Sequence, residues 1–255
     1  MPVTNNRGSS NQSSGSIQVV KGEVVYSNIR PQDKDGWLLV ALEGGGTNNI
    51  HENVKLLTLG EKNGRVYYKI LSDRRDLIGK TVSLKKENAV LCTHKAAPVQ
   101  KSAILKVTYS GGRVDEYSRF KRGMLSQQFA IMNVNGANIK VTLNSAWPPS
   151  FSYSPIIPGT HKIMAPDYSH KVEGDTTGYR DAFPLGTIRC NDIWFPIELE
   201  GTKGNSSRYV HLGNVSHGCV TVYDVEKWNI VYNYLISHRT PGTDGTYVGK
   251  LVVVR

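Results

Sequence analysis

From residue 16 onward, apolar and polar positions alternate over short stretches that end at Gly or Asn, a period that predicts strands rather than helices. Residues 17–26 are β-branched and partly alternating, and 37–41 form an apolar run ending before Gly44-Gly45-Gly46. The runs 56–59 and 66–71 flank Asn63-Gly64, a dipeptide suited to the two-residue turn of a hairpin. Val82 and Leu84, then 89–92, read as the last strands of this part. Residues 16–97 are therefore expected to form a small all-β, barrel-like module.

Alternation lapses over 94–98, where Pro98 follows, and this is the expected boundary. A new strand pattern starts at 103–109, turns at Ser110-Gly111-Gly112 and returns over 113–120. Further strands are expected at 138–143 after Asn135-Gly136, at 193–197, at 209–211 and at 248–254. One helix is predicted, over 224–238. Asp224 suits its N-cap, and Trp228, Val231, Tyr232 and Leu235 form one apolar stripe. His238 and Arg239 favour its C-terminal end, and Pro241-Gly242 stops it. The fold class expected is mainly β, with one packed helix in a second domain over 98–255.

At 255 residues, with 39% hydrophobic and 20% charged residues, the chain can bury a core and is neither collagen-like nor low-complexity. No run approaches the roughly 18 apolar residues of a membrane span. Asn, Gln, Ser and Gly dominate the first segment, and 1–15 is expected to be a disordered leader. That start lacks the basic and apolar regions of a secretory signal. The net charge of +10 favours an anionic partner. It is shared evenly: residues 1–97 carry 14 basic and 9 acidic residues, and 98–255 carry 17 and 12, so each part is +5. Stacking of bases by Arg65-Val66-Tyr67-Tyr68-Lys69 is less economical than a half-buried strand with snorkelling cations. No nucleic-acid partner is expected. Three cysteines cannot build a disulfide framework, and Cys92 and Cys190 read as small buried hydrophobes, their pairing left open.

The chemistry concentrates in His211-Leu212-Gly213-Asn214-Val215-Ser216-His217-Gly218-Cys219. A cysteine nucleophile needs a neighbouring base or cation to gain thiolate character. Gly218 lets a carbonyl approach the backbone, and amides at Gly218 and Cys219 can face an oxyanion. Zinc ligation by His211, His217 and Cys219 is the rival reading, weakened by the lack of a paired C-x-x-C or H-x-x-x-H element. No metal and no cofactor is expected. His51, His94, His161, His170 and His238 read as surface or hydrogen-bonded residues, and among them His161 stands out beside Pro158-Gly159-Thr160.

Ser216-His217-Gly218-Cys219 followed by Val220 resembles the SHGC signature of the L,D-transpeptidase (YkuD-type) catalytic domain, in a short-spaced H-x-G-x-x-S-H-G-C form. Residues 103–120 look like that domain's opening hairpin, and Pro158-Gly159-Thr160-His161-Lys162-Ile163 resembles its P-x-G-x-[FY]-x-[IV] segment. The likeness covers about 100–255 and leaves 1–97 outside. It implies a β-sandwich or barrel in which Cys219 is the nucleophile, His211 the base and His217 a residue lining the pocket. Ser216 and Gly218 would support the loop and its oxyanion hole. It further implies acyl transfer on peptidoglycan stem peptides, as an L,D-transpeptidase or L,D-carboxypeptidase. The short spacing looks like a branch that includes hydrolytic enzymes. Thr221 stands where many members carry Arg or Asn, and Arg208 or Arg189 are the residues that would replace that anchor.

The resemblance places the enzyme's work in the bacterial periplasm or cell wall. Without a signal peptide, either a processed form or a leaderless antibacterial effector is expected. An effector would have a secretion-machine component and an immunity protein as partners. The alternative is a non-enzymatic wall-binding or adaptor protein that keeps the fold.

Overall fold

The computed structural model describes residues 19–72, 76–118, 122–146 and 154–255. The leader expected over 1–15 lies outside these residues. Both Asn-Gly dipeptides make two-residue hairpin turns with positive φ at each centre, 51° and 69° at Asn63-Gly64 and 48° and 91° at Asn135-Gly136. Such turns match the twist of the strands they join. The pairs Lys62↔Arg65 and Val134↔Ala137 close directly over them.

The first unit holds β1 (Val24–Ser27), β2 (Leu38–Leu42), β3 (Thr47–Ile50), β4 (Lys55–Lys62), β5 (Arg65–Ile70), β6 (Thr81–Lys85), α1 (Lys86–Cys92) and β7 (Thr93–His94). Its strands form one antiparallel sheet in the order β3-β2-β6-β5-β4-β1-β7. β3 and β7 remain edges, so no strand pair closes the expected barrel among the described residues. The strand expected at 89–92 is instead the end of α1. An apolar run of four carries no period of its own, and here Ala89 and Cys92 point inward at helical spacing while Leu91 is exposed.

The closed structure lies in the second unit. It contains β8 (Ala103–Tyr109), β9 (Val114–Ser118), β10 (Gly123–Val134), β11 (Ala137–Ala146), β12 (Gly159–Met164), α2 (Thr177–Asp181), β13 (Phe195–Glu198), β14 (Tyr209–Leu212), β15 (Val220–Val222), α3 (Trp228–Ile236) and β16 (Tyr247–Val254). Eight strands run β11-β15-β14-β13-β12-β16-β8-β10, and β10 pairs back with β11 to complete a barrel. The fold is mainly β, as the alternation predicts. The described residues 103–118, however, form no hairpin. β8 and β9 lie end to end along β10, with Tyr109↔Ala130 and Val114↔Gln127 on either side of a bulge at Gln128/Phe129.

The predicted helix starts with a 3-10 turn, Val225–Lys227, and continues as α3. Trp228, Val231, Tyr232, Leu235 and Ile236 bury its inner face against β10 and β16. Each such side chain contributes about 1.5–3 kcal/mol of hydrophobic stabilisation. The apolar side chains of the two units form one continuous cluster. Polar contacts also cross between them: Trp37 Nε1 donates to the Asp192 carboxylate at 3.0 Å, and Tyr232 Oη to Glu52 at 2.6 Å. Asn53 Nδ2 donates to the Ile236 carbonyl, and buried Arg239 returns a bond to the Asn53 carbonyl at 3.1 Å.

Candidate active site

β14 and β15 are parallel neighbours, with Val210↔Val220, His211↔Thr221 and Leu212↔Val222 in register. Parallel neighbours ordinarily need a crossover of a dozen or more residues. Here only residues 213–219 join them, so the loop must return directly across the strand ends. Val210, Leu212, Val220 and Val222 are fully buried in the core. Strand alternation therefore sends Tyr209, His211, Cys219 and Thr221 to the opposite face together.

A buried polar network fixes the loop. Gln127 Nε2 donates to the Asn214 carbonyl at 2.8 Å, and Tyr179 Oη accepts the Asn214 amide at 3.1 Å. Ser145 Oγ accepts the Ser216 amide at 2.9 Å, and the Ser145 amide donates to the Ser216 carbonyl at 2.7 Å. Gln127 Oε1 in turn accepts Ser145 Oγ and, at 2.9 Å, Thr142 Oγ1. Ser216 Oγ donates to the Cys219 carbonyl at 2.9 Å, which ties the start of the motif to its end. Ser216 is thus a loop staple. Among the described residues, the network leaves the Gly218 and Cys219 amides without a hydrogen-bond partner.

Gly218 has φ 94°, and a Cβ there would lie 2.5 Å from the Ser154 carbonyl oxygen and 2.7 Å from Arg208 Nε. Only glycine fits that backbone without displacement. Arg208 therefore packs against the loop, whereas Arg189 lines a different cavity, at the junction of the two sheets. His217 lies on the exposed side of the loop.

Cys219 is 8% exposed, and burial pushes its thiol up to about 11, against a backbone hydrogen bond at Tyr209 and the Arg208 charge. His211 is also buried, and loss of solvent pushes its pKa down to about 4. Its Nδ1 lies 2.9 Å from the Leu212 carbonyl, which can only accept, so Nδ1 carries the proton. Nε2 is then an acceptor, and its partner at 3.1 Å is the Thr221 hydroxyl. Both ring nitrogens are thus engaged, neither by Cys219. Cys219 directly precedes β15, two residues before Thr221, and so lies diagonal to His211 across the β14–β15 ladder.

The His211 ring also stacks on Trp194, with centroids 4.0 Å apart and planes 14° apart. Behind Trp194 lie His170, at 4.5 Å and 8°, and then Tyr168, at 4.3 Å from His170. Asp167 Oδ1 holds His170 Nε2 at 2.9 Å, and Tyr209 meets His170 edge-on at 4.6 Å. This column locks the plane of the His211 ring. It eluded sequence reading because nothing in the spacing of Tyr168, His170 and Trp194 points at His211. His170 is hydrogen-bonded, one of the two settings expected of it, and buried in this column. His161 is fully buried and bonds the Ile157 carbonyl at 2.9 Å and the Glu200 amide at 3.0 Å, a structural role. Cys92, Cys190 and Cys219 are all free and buried, so the open question of a Cys92–Cys190 bond is answered by two separate thiols.

Among the described residues, no group of three or more His, Cys, Asp or Glu side chains is placed to hold a metal ion, and no helix is long and apolar enough to cross a membrane. Beyond the Asn214 end of the loop opens a cleft of about 670 Å³, lined by Glu116, Tyr117, Asp175, Tyr179 and Tyr223 among others. No family model, curated protein or solved structure matches the chain.

Proposed function

We propose that the chain is a cysteine-dependent acyl-transfer enzyme acting on peptidoglycan stem peptides, as an L,D-transpeptidase or L,D-carboxypeptidase. The observation that carries this reading is the shared face of β14 and β15. It sets Cys219 just before one strand and a neutral His211 on the next, whose Nε2 is an acceptor held by the Thr221 hydroxyl. In the proposed reaction, Cys219 Sγ gives its proton to His211 Nε2 as the sulfur attacks the amide carbonyl. A thiol at about 11 beside a base at about 4 transfers its proton during attack rather than resting as an ion pair. The oxyanion meets the Gly218 and Cys219 amides. His211 then protonates the departing amine, leaving a thioester on Cys219. An amine or water takes the acyl group, gives its proton to His211 and restores the thiol.

For this to proceed, Nε2 must exchange the Thr221 hydroxyl for the Cys219 thiol. Thr221 thus acts as a latch on the base rather than as a substrate anchor, and Arg208, packed at Gly218, takes the position near the substrate. The net charge of +10 suits a wall rich in carboxylates and phosphates. The reading places the enzyme in the bacterial periplasm or wall, delivered as an effector with a secretion-machine component and an immunity protein as partners. Expression in a susceptible bacterium with and without a fused periplasmic signal tests delivery, and equal toxicity from the cytoplasm counts against it.

A second reading, a wall-binding adaptor without turnover, draws on the buried thiol and its raised pKa. Mass spectrometry of muropeptides incubated with the chain and with Cys219→Ala separates the two. Loss of a terminal residue, a new dimer or an exchanged D-amino acid, absent with Cys219→Ala, supports the enzyme. No change on tetrapeptides, pentapeptides and intact sacculi, with sacculus binding retained by both proteins, supports the adaptor.

A further inference from the structure

The junction between the two sheets holds a cavity of about 400 Å³ whose walls belong to neither the Cys219 loop nor the cleft beside it. One wall is the segment 29–34, between β1 and β2. The other is Arg180 with residues 185, 186 and 188–190. The walls are stitched together: the Cys190 amide donates to the Lys34 carbonyl at 2.9 Å, and the Asp192 amide to Asp35 at 3.1 Å. Arg180 Nη1 reaches Asp35 Oδ1 at 2.6 Å. Behind them Gly36, at φ 99°, passes so close that a Cβ would lie 2.6 Å from Ile193 and 2.7 Å from the Cys190 Cβ. Cys190 itself is held at φ 52°, a conformation costly for a residue with a Cβ. The cavity is therefore preformed, at the kind of inter-unit crevice where ligand sites concentrate.

Its lining has two characters. Ile29, Ile188 and Cys190 are buried and apolar, and Leu185 stands at the mouth, 86% exposed. Four cations line it, Arg30, Lys34, Arg180 and Arg189, against a single carboxylate, Asp33. That carboxylate is spent on Arg30, in a two-pronged pair at 2.8 and 3.0 Å. Arg180 is engaged by Asp35 and Asp181 from outside the lining. Lys34 and Arg189 remain, and among the described residues neither side chain has an ion-pair or hydrogen-bond partner.

From this we infer a ligand site for a small amphipathic anion, a carboxylate with an aliphatic body, independent of the acyl-transfer reading. The carboxylate would lie between Lys34 and Arg189, and the aliphatic body would pack on Ile29, Ile188 and Leu185. Because the walls come from both units, such a ligand braces their junction, and binding to the folded chain alone raises the thermal midpoint.

The test uses the full chain and decanoate, followed by calorimetric titration and thermal unfolding. A decyl maltoside control, kept below its micellar concentration, supplies a similar aliphatic chain without charge. Saturable one-to-one binding of decanoate with a raised thermal midpoint is expected. Affinity should fall about ten-fold or more for the maltoside and for the Lys34→Glu/Arg189→Glu pair. Leu185→Ser, at an exposed position that should leave folding intact, provides a second arm and should weaken decanoate binding several-fold. Absence of saturable binding, equal affinity for the uncharged chain, or undiminished binding by both folded variants would overturn the inference.

Discussion

Thr221→Val is the sharpest test of the site because it removes one hydroxyl from a fully buried position and keeps the side chain's shape. The hydroxyl lies 3.1 Å from His211 Nε2, whose other nitrogen is committed to the Leu212 carbonyl. The variant leaves Nε2 as a buried acceptor without its donor, at a cost of about 1–3 kcal/mol. For 255 residues the unfolding entropy is roughly 0.5 kcal/mol/K, so the thermal midpoint should fall by about 2–6 °C. The same change frees the lone pair for the Cys219 thiol. Alkylation of Cys219 by iodoacetamide should then quicken by up to about ten-fold, the equivalent of one hydrogen bond. Calorimetry and peptide-resolved mass spectrometry on one preparation read both quantities. The latch predicts opposite signs: lower stability with a more reactive thiol. An unchanged midpoint, or a thiol no more reactive in a folded variant, would refute it.

Three further outcomes can be checked. Gly218→Ala should cost at least about 1–2 kcal/mol for its left-handed backbone alone, more with the Ser154 contact, and should abolish any Cys219-dependent product; chemical denaturation and the muropeptide assay read the two. Arg239→Met strips donors from the Asn53, Ile236 and His238 carbonyls and should lower stability by at least about 2 kcal/mol, with hydrogen exchange rising first at the junction of the units. Acid should destabilise the fold in two stages. His211, at about 4 folded against 6.5 unfolded, binds its proton more tightly in the unfolded chain, so roughly 3 kcal/mol present above 6.5 is lost as pH falls to 4. Glu198 is held down to about 2, because bonds from Lys162, Tyr247 and the Gly204 amide outweigh its burial, and its share is lost between 4.5 and 2. His211→Phe should flatten only the upper stage in denaturation curves taken across pH, and Glu198→Gln only the lower.

Most strands of both sheets were legible because alternation is local, and the Asn-Gly turns because two consecutive positive φ angles favour those residues, but β3, β7, β10, β12 and β15 were not expected as strands. The stripe of α3 was legible for the same reason. α1 was not, since four apolar residues in a row fit either period, and α2 spans only five residues. The end-to-end run of β8 and β9 depends on β10, a partner later in sequence, which no local pattern at Ser110-Gly111-Gly112 reveals. In the site, the nine-residue motif located Cys219, His211 and the Ser216 staple. The partners that decide their chemistry come from elsewhere: Gln127 and Ser145 on β10 and β11, Trp194 before β13, and Thr221 across the ladder. Thr221 shows the limit most clearly. Its place in the motif marked a missing substrate anchor, and its register places it on His211.

The short crossover explains why so many polar groups are buried around one loop. A longer connection between parallel strands satisfies its own backbone in a helix or in solvent. Residues 213–219 have room for neither, and their amides and carbonyls are driven into the end of the barrel, where each unpaired group would cost about 1–3 kcal/mol. Gln127, Thr142, Ser145 and Tyr179 meet that demand and hold the loop still. Among the described residues, the Gly218 and Cys219 amides are the part of the loop the network does not reach. On the acyl-transfer reading, such a turn, with two amides beside Cys219 and His211, is pre-arranged for charge that develops only during reaction. The same rigidity keeps His211 on Thr221 until a ligand or a substitution changes the balance of two hydrogen bonds.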